Sequence, residues 1–221
     1  MEISIFEVLG PVMIGPSSSH TAGAARLARV AALIAAKPFS KVRFGLSGSF
    51  ARTCRGHGTD KALLAGVLGL AADDERLREA QALAAARGVE AEYYEEDLDA
   101  MHENSVHLTF CHANGETSEV WGSSPGGGRI LITRIGSFDT EITAESPTMV
   151  VHHMDRPGVV SDISKALAQN GINIAVMRLS RKAKGRQASV VIEVDGAIPA
   201  EVAAQVQQMR HVTEVIVVDV S

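Results

Sequence analysis

The chain has 221 residues, 46% of them hydrophobic, 4% aromatic and 21% charged, with a formal net charge of -5 at pH 7. That length and apolar fraction allow one or two domains around sizeable cores, and the acidic balance without a basic cluster argues against nucleic acid as a partner. Two cysteines, Cys54 and Cys111, cannot build a disulfide framework.

The opening residues, MEISIFEVLGP, lack a basic start and a cleavage site, so no signal peptide is expected there. Residues 15–23, GPSSSHTAG, then crowd Ser17, Ser18, Ser19, His20 and Thr21 into one turn, although a helix cap needs only one such residue. Residues 21–37 are Ala-rich with apolar positions at helical spacing, ended by Pro38. Arg26 and Arg29 interrupt this most apolar stretch, so no membrane span is expected, and a cytoplasmic protein is the default. Residues 41–48 alternate as a strand, and 48–60 (GSFARTCRGHGTD) read as a Gly-punctuated loop whose Thr59 or Asp60 caps the next helix, 61–72. A charged helix is expected over 73–87, closed by Gly88.

Strands dominate from Val89. Residues 105–112 and 116–121 flank Asn114-Gly115, a strong hairpin signal, and 122–135 turn through PGGGR into another alternating strand. Residues 1–140 thus read as one mixed α/β domain. The turn-rich stretch 136–147 reads as a linker, with 141–147 its core. Beyond it, strand 148–154, helix 155–171, strands 172–182 and 187–196, helix 198–210 opened by Pro199, and strand 212–220 follow in the order βαββαβ, the ferredoxin-like pattern.

Chemistry concentrates at two loop-to-helix junctions. A helix N-terminus with unsatisfied N–H groups attracts a carboxylate or phosphate, and three hydroxyls and an imidazole there add donors. The same residues would also serve as a flexible Ser-rich turn with one capping serine. In RGHGTD, His57 lies between two glycines that allow close approach, and imidazole is the natural proton acceptor near neutral pH. Alone it would read as a surface histidine in a hinge. His102 and Asn104, and the PGGGR turn, are weaker signals. No C-x-x-C or H-E-x-x-H pattern suggests a metal site, and two cysteines cannot hold a cubane cluster. The chain carries acid–base and anion-binding groups without an electrophile.

GPSSSHTAG, GSFARTCRGHGTD and PGGGRI, in that order over residues 1–140, resemble the beta chain of the iron–sulfur-dependent L-serine dehydratases. DRPGVVSDI and GINIAVM, within 148–221, resemble an ACT domain. The resemblance implies a first domain similar to an allosteric substrate-binding domain and a reaction converting L-serine to pyruvate and ammonia. It also implies a [4Fe–4S] cluster held by a separate cysteine-bearing alpha chain, which would act as Lewis acid. In that scheme Ser17, Ser18, Ser19, Thr21 and Thr59 bind substrate, while His20 and His57 are catalytic, His57 as base. The family usually has His-Pro-Asn where this chain has His102-Glu103-Asn104, and Cys54 is not expected to take part.

The second resemblance implies an effector site at His153, Asp155 and Asn173 and ACT-mediated homodimerisation. Asp155 would repel an effector carboxylate unless a cation faces it. A domain kept only for dimerisation is the alternative. For the whole chain, the alternative to a catalytic subunit is a non-catalytic, amino-acid-sensing regulatory subunit.

Overall fold

The computed structural model describes residues 12–98 and 101–220; the opening stretch read for a signal peptide, residues 1–11, lies outside them. The chain divides into two compact units, Met1–Gly136 and Ser137–Ser221.

In the first unit a π-helical turn, Ser18–Gly23, runs directly into helix α1 (Ala24–Ala35). Strand β1 (Lys41–Ser47), helices α2 (Gly48–Thr53) and α3 (Thr59–Val67), a 3-10 turn (Glu75–Glu79) and helix α4 (Ala80–Ala86) follow. Strands β2 (Glu90–Glu95), β3 (Asn104–Cys111), β4 (Thr117–Gly126) and β5 (Arg129–Ile135) complete the unit. Within it the strands lie in the order β2-β1-β3-β4-β5. Only β1 and β2 are parallel; β1–β3, β3–β4 and β4–β5 are antiparallel.

Alternation explains the packing. Phe44, Leu108 and Val120 are register partners across β1, β3 and β4, and all three are fully buried. Helix α1 packs on β4 and β5, and α3 packs on α1. Their crossing is close: a Cβ on Gly66 would lie 2.2 Å from the Ala25 carbonyl oxygen and 2.8 Å from Ala28 Cβ. The neighbouring row, Gly45–His107–Trp121, faces the other side of the sheet. His107 stacks on Trp121 with ring centroids 4.0 Å apart, and Glu96 crosses the bare Cα of Gly45 to reach His107 Nδ1 at 3.1 Å.

The second unit contains β6 (Phe138–Ile142), β7 (Thr148–Met154), α5 (Val159–Gln169), β8 (Ile174–Arg181), β9 (Gln187–Val194), α6 (Ala200–Gln207) and β10 (Val212–Val218). Its sheet order, β10-β7-β9-β8, with two helices from the crossovers, is ferredoxin-like βαββαβ. Met149, Val151, Val190 and Ile192 from the sheet meet Ile163, Leu167, Val202 and Val206 from the helices in one core.

Four local expectations change. The loop 48–60 contains helix α2, started by Gly48 at φ 57. Helix α3 is capped by Gly58 at φ 71 without a side-chain bond, so neither Thr59 nor Asp60 is its cap. The helix expected over 73–87 is a 3-10 turn followed by α4. Asp74 tightens its start, accepting from Arg76 N at 2.9 Å and pairing with the Arg76 guanidinium at 2.6 Å. The linker stretch 136–147 holds β6, whose Phe138 and Ile142 are buried while Asp139 and Glu141 point out.

Candidate active site

The serine run is divided among three tasks. Ser17 is the N-cap: it is extended, and its hydroxyl accepts from His20 N at 3.1 Å. The turn it starts is wider than an α-helix, because Ser17 O accepts from both Thr21 N (2.9 Å) and Ala22 N (3.4 Å). Ser18 Oγ accepts from Gly127 N at 3.3 Å, tying the turn to the PGGGR corner, where Gly126, Gly127 and Gly128 all have positive φ. Ser19 Oγ lies 3.0 Å from His20 Nδ1. The turn sits hard against β4, where a Cβ on Gly23 would meet Ser124 Oγ at 1.9 Å.

His20 is buried, with both ring nitrogens engaged. Nδ1 faces Ser19, with Ser17 Oγ farther at 3.4 Å, and Nε2 lies 3.0 Å from Ser49 Oγ on α2. Burial, then the neighbouring His57, hold its pKa below the ordinary value, partly offset by Ser49 and Glu103. The ring is therefore neutral at neutral pH, and its single N–H is shared within a Ser19–His20–Ser49 chain.

His57 stands edge-on to His20, with ring centroids 4.9 Å apart and planes at 81°. Unlike His20 it is exposed. Its backbone is fixed: His57 N donates to Thr53 O at 3.0 Å, and Thr21 Oγ1 donates to His57 O at 3.5 Å. The imidazole opens onto a cavity of about 280 Å³, lined also by Gly15, Pro16, Thr21, Arg55, Lys61 and Arg78. Ser17 to Thr21 and His57 are thus brought together at one helix N-terminus.

Other candidates lie apart. Thr59 is fully buried, and its Oγ1 has no partner among the described residues. Exposed His102 accepts from Asn104 N through Nδ1 at 3.1 Å, whereas Asn104 is buried and donates to Ser124 O at 3.2 Å. The PGGGR corner is both a hairpin bend and a contact with the serine turn. Burial, then the nearby Asp60 carboxylate, push the Cys54 thiol up to about 11, so it stays protonated and unreactive. Both cysteines are free thiols, and among the described residues no group of three or more His, Cys, Asp or Glu could hold a metal ion. None of the described helices is long and apolar enough to cross a membrane. Ser49 escaped sequence reading because its partner His20 is 29 residues away.

Residues 4–134 match the serine dehydratase beta chain family, and residues 148–211 match the ACT domain. The chain belongs to the serine dehydratase beta chain family. Over 212 residues it is 38% identical to a protein of Bacillus subtilis named as probable L-serine dehydratase, beta chain, covering 96% of each. It is 39% identical over 195 residues to the L-serine dehydratase beta chain of Peptoniphilus asaccharolyticus, covering 88% of each. A more distant similarity, 29% over 143 residues, links it to D-3-phosphoglycerate dehydrogenase of Mycobacterium tuberculosis. That match takes in 64% of this chain and 27% of the dehydrogenase.

In the ACT domain of this family member the expected effector residues are held by neighbours. The Asp155 carboxylate accepts from Gly185 N at 2.9 Å and from Arg181 Nη1 at 3.1 Å, clamping the β8–β9 turn. Arg181 is thus the cation facing it, and these contacts hold the Asp155 pKa below its ordinary value, the Gly185 bond first among them. Asn173 donates to Asp195 Oδ2 at 2.6 Å. His153 is buried; its Nδ1 lies 2.9 Å from Met154 O, and its Nε2 has no partner among the described residues.

Proposed function

We propose that this chain is the beta subunit of an L-serine ammonia-lyase, converting L-serine to pyruvate and ammonia together with a cysteine-bearing alpha subunit. The observation that carries this reading is an exposed imidazole, His57, set against a buried neutral histidine at a hydroxyl-rich helix N-terminus. Among the described residues no group of three or more His, Cys, Asp or Glu could hold a metal ion, and in this reading a [4Fe–4S] cluster would be carried by the alpha subunit. The chemistry it would supply there is Lewis acidity toward the substrate hydroxyl.

This chain's own residues bind and deprotonate. The helix N-terminus and the hydroxyls of Ser17, Ser18, Ser19 and Thr21 hold the carboxylate and amine of L-serine. His57 takes the α-proton, hydroxide is lost from the β-carbon, and the resulting aminoacrylate hydrolyses to pyruvate and ammonia. His20, locked between Ser19 and Ser49, keeps the hydroxyls oriented and lies against His57 without carrying a second positive charge. The ACT domain pairs two copies and senses an effector near His153, Asp155 and Asn173.

The ACT domain match over residues 148–211 motivates a second reading, an amino-acid-sensing regulatory subunit. Reconstitution with the alpha subunit separates the two. A catalytic His57 predicts that His57→Ala lowers turnover by roughly 10²–10⁴ in an intact complex while substrate binding changes much less. Ser18→Ala instead weakens binding. Near-normal turnover in the His57→Ala complex overturns the base assignment and leaves the sensor ahead.

A further inference from the structure

Strand β6 falls between the two matched stretches, residues 4–134 and 148–211, so neither family similarity accounts for it. In the second unit it packs over β8 and β9. Met149 and Val151 join the core under the helices, so Val150 and His152, beside them on β7, face the other side of the sheet. On that helix-free side Val150, Val191 and Ile216 are register partners across β7, β9 and β10, and all three are buried. The strand does not sit flush: a cavity of about 250 Å³ is lined by Asp139, Thr140 and Glu141 together with Ser189 and Val191 of β9.

Side chains anchor both ends of β6. At the carboxyl end, Arg178 of β8 reaches Glu141 of β6 and Glu193 of β9, each at 3.2 Å. The Glu141 side chain is 63% exposed, and an exposed pair of this kind holds weakly. At the amino end, Phe138 is buried and stacks on the His152 ring, with centroids 5.4 Å apart and planes at 28°. Burial of the phenyl ring makes this the stronger anchor, and it rests on a titratable side chain.

His152 is poorly placed to take up a proton there. Its Nδ1 is buried without a partner among the described residues. A neutral ring can leave one nitrogen bare, whereas an imidazolium donates from both. The Glu214 carboxylate on β10 favours the charged ring and His153 on β7 opposes it. The Lys182 ammonium, 5.5 Å from the Phe138 ring centroid, adds a second positive charge on the β6 side. On β9 the register partner is the uncharged Ser189. Burial outweighs Glu214 and holds the His152 pKa below its ordinary value.

We propose that β6 is a strap latched by the Phe138–His152 stack, closed while His152 is neutral and released when the ring takes up a proton. With Phe138 lifted, the imidazolium reaches water and the cavity over Ser189 and Val191 opens. Release is favoured as pH falls, because the open form takes up a proton near the ordinary 6.5 and the closed form resists it. The strap does not depend on His57 or on the reaction proposed above.

The test is nuclear magnetic resonance of the full chain, titrated from pH 7.5 down through the midpoint of the His152 ring-proton shift. Overhauser contacts between the Phe138 and His152 rings fall several-fold across that midpoint, while contacts within the core of Val151, Ile163 and Val190 persist. In His152→Leu, Phe138 stays against the substituted side chain throughout the same range. Ring contacts that survive below the His152 midpoint in the unaltered protein overturn the proposal, with no variant needed. So does loss of the Phe138 contact in His152→Leu over that range. Loss of the core contacts together with the ring contacts also overturns it, since the unit then unfolds rather than releasing a strap.

Discussion

Gly66→Ala sets two effects against each other with opposite signs. Alanine is the better helix former by about 0.8–1.0 kcal/mol, so propensity alone predicts a more stable protein. The new Cβ, however, would lie 2.2 Å from Ala25 O and 2.8 Å from Ala28 Cβ. Ordinary contact distances begin near 3.4 Å, so α1 and α3 must separate by about 1 Å, and the nearest atom is backbone that cannot swing away. Overpacking of this kind costs typically 1–3 kcal/mol, and a rigid backbone obstacle belongs at the upper end. The net expectation is a loss of about 2 kcal/mol. Trp121, the only tryptophan, lies on β4 in the first unit, so its fluorescence follows that unit. The urea midpoint should fall by about 1 M with an unchanged slope. Because α1 continues the serine turn and α3 continues the His57 loop, binding at the site should weaken as well. A variant stabilised by the propensity difference would refute the claim that this crossing is held at its minimum distance.

Ser49→Ala leaves His20 Nε2 buried without its partner and should cost about 1–3 kcal/mol; unchanged stability would show that the bond contributes nothing. Burial lowers the pKa of both His20 and His152, so their folded forms prefer to be neutral while unfolded histidines take up protons near 6.5. Stability present above 6.5 should therefore decline as pH falls below it. His152→Leu should flatten that decline between pH 7.5 and 5.5, and an equal slope in both proteins would count against it. Asp155→Asn removes the charge that clamps the β8–β9 turn, so the Gly185 amide should exchange faster with solvent, with little change elsewhere.

Much of the architecture was legible because it follows local pattern. The Asn114-Gly115 hairpin formed between β3 and β4, with Gly115 at φ 82 and Glu116 N donating to Asn114 Oδ1 at 3.0 Å. The βαββαβ order survived intact because its four strands are seven or eight residues long and rich in apolar residues. What escaped was short or long-range. Helix α2 has six residues and begins on a left-handed glycine, and β6 has five, three of them polar. Capping of α3 went to Gly58 because its positive φ, not a side chain, reverses the chain there. The two histidines were legible as types in motifs. That one would be buried between two serines and the other left open depends on α2, which closes over His20 from another part of the sequence.

The π-helical turn makes the number of serines matter apart from their chemistry. A π turn is an α turn holding one extra residue, so each i→i+5 bond, such as Ala22 N to Ser17 O, records a residue that a regular helix would not accommodate. Deleting any one serine would let the segment relax into an unbroken α-helix and rotate everything before it by about 100° relative to α1. Ser17 would lose its place above His20 N, and the hydroxyl reaching Gly127 would face another direction. A deletion that leaves two serines, the histidine and the threonine in place would therefore scramble the site more thoroughly than replacing a serine by alanine.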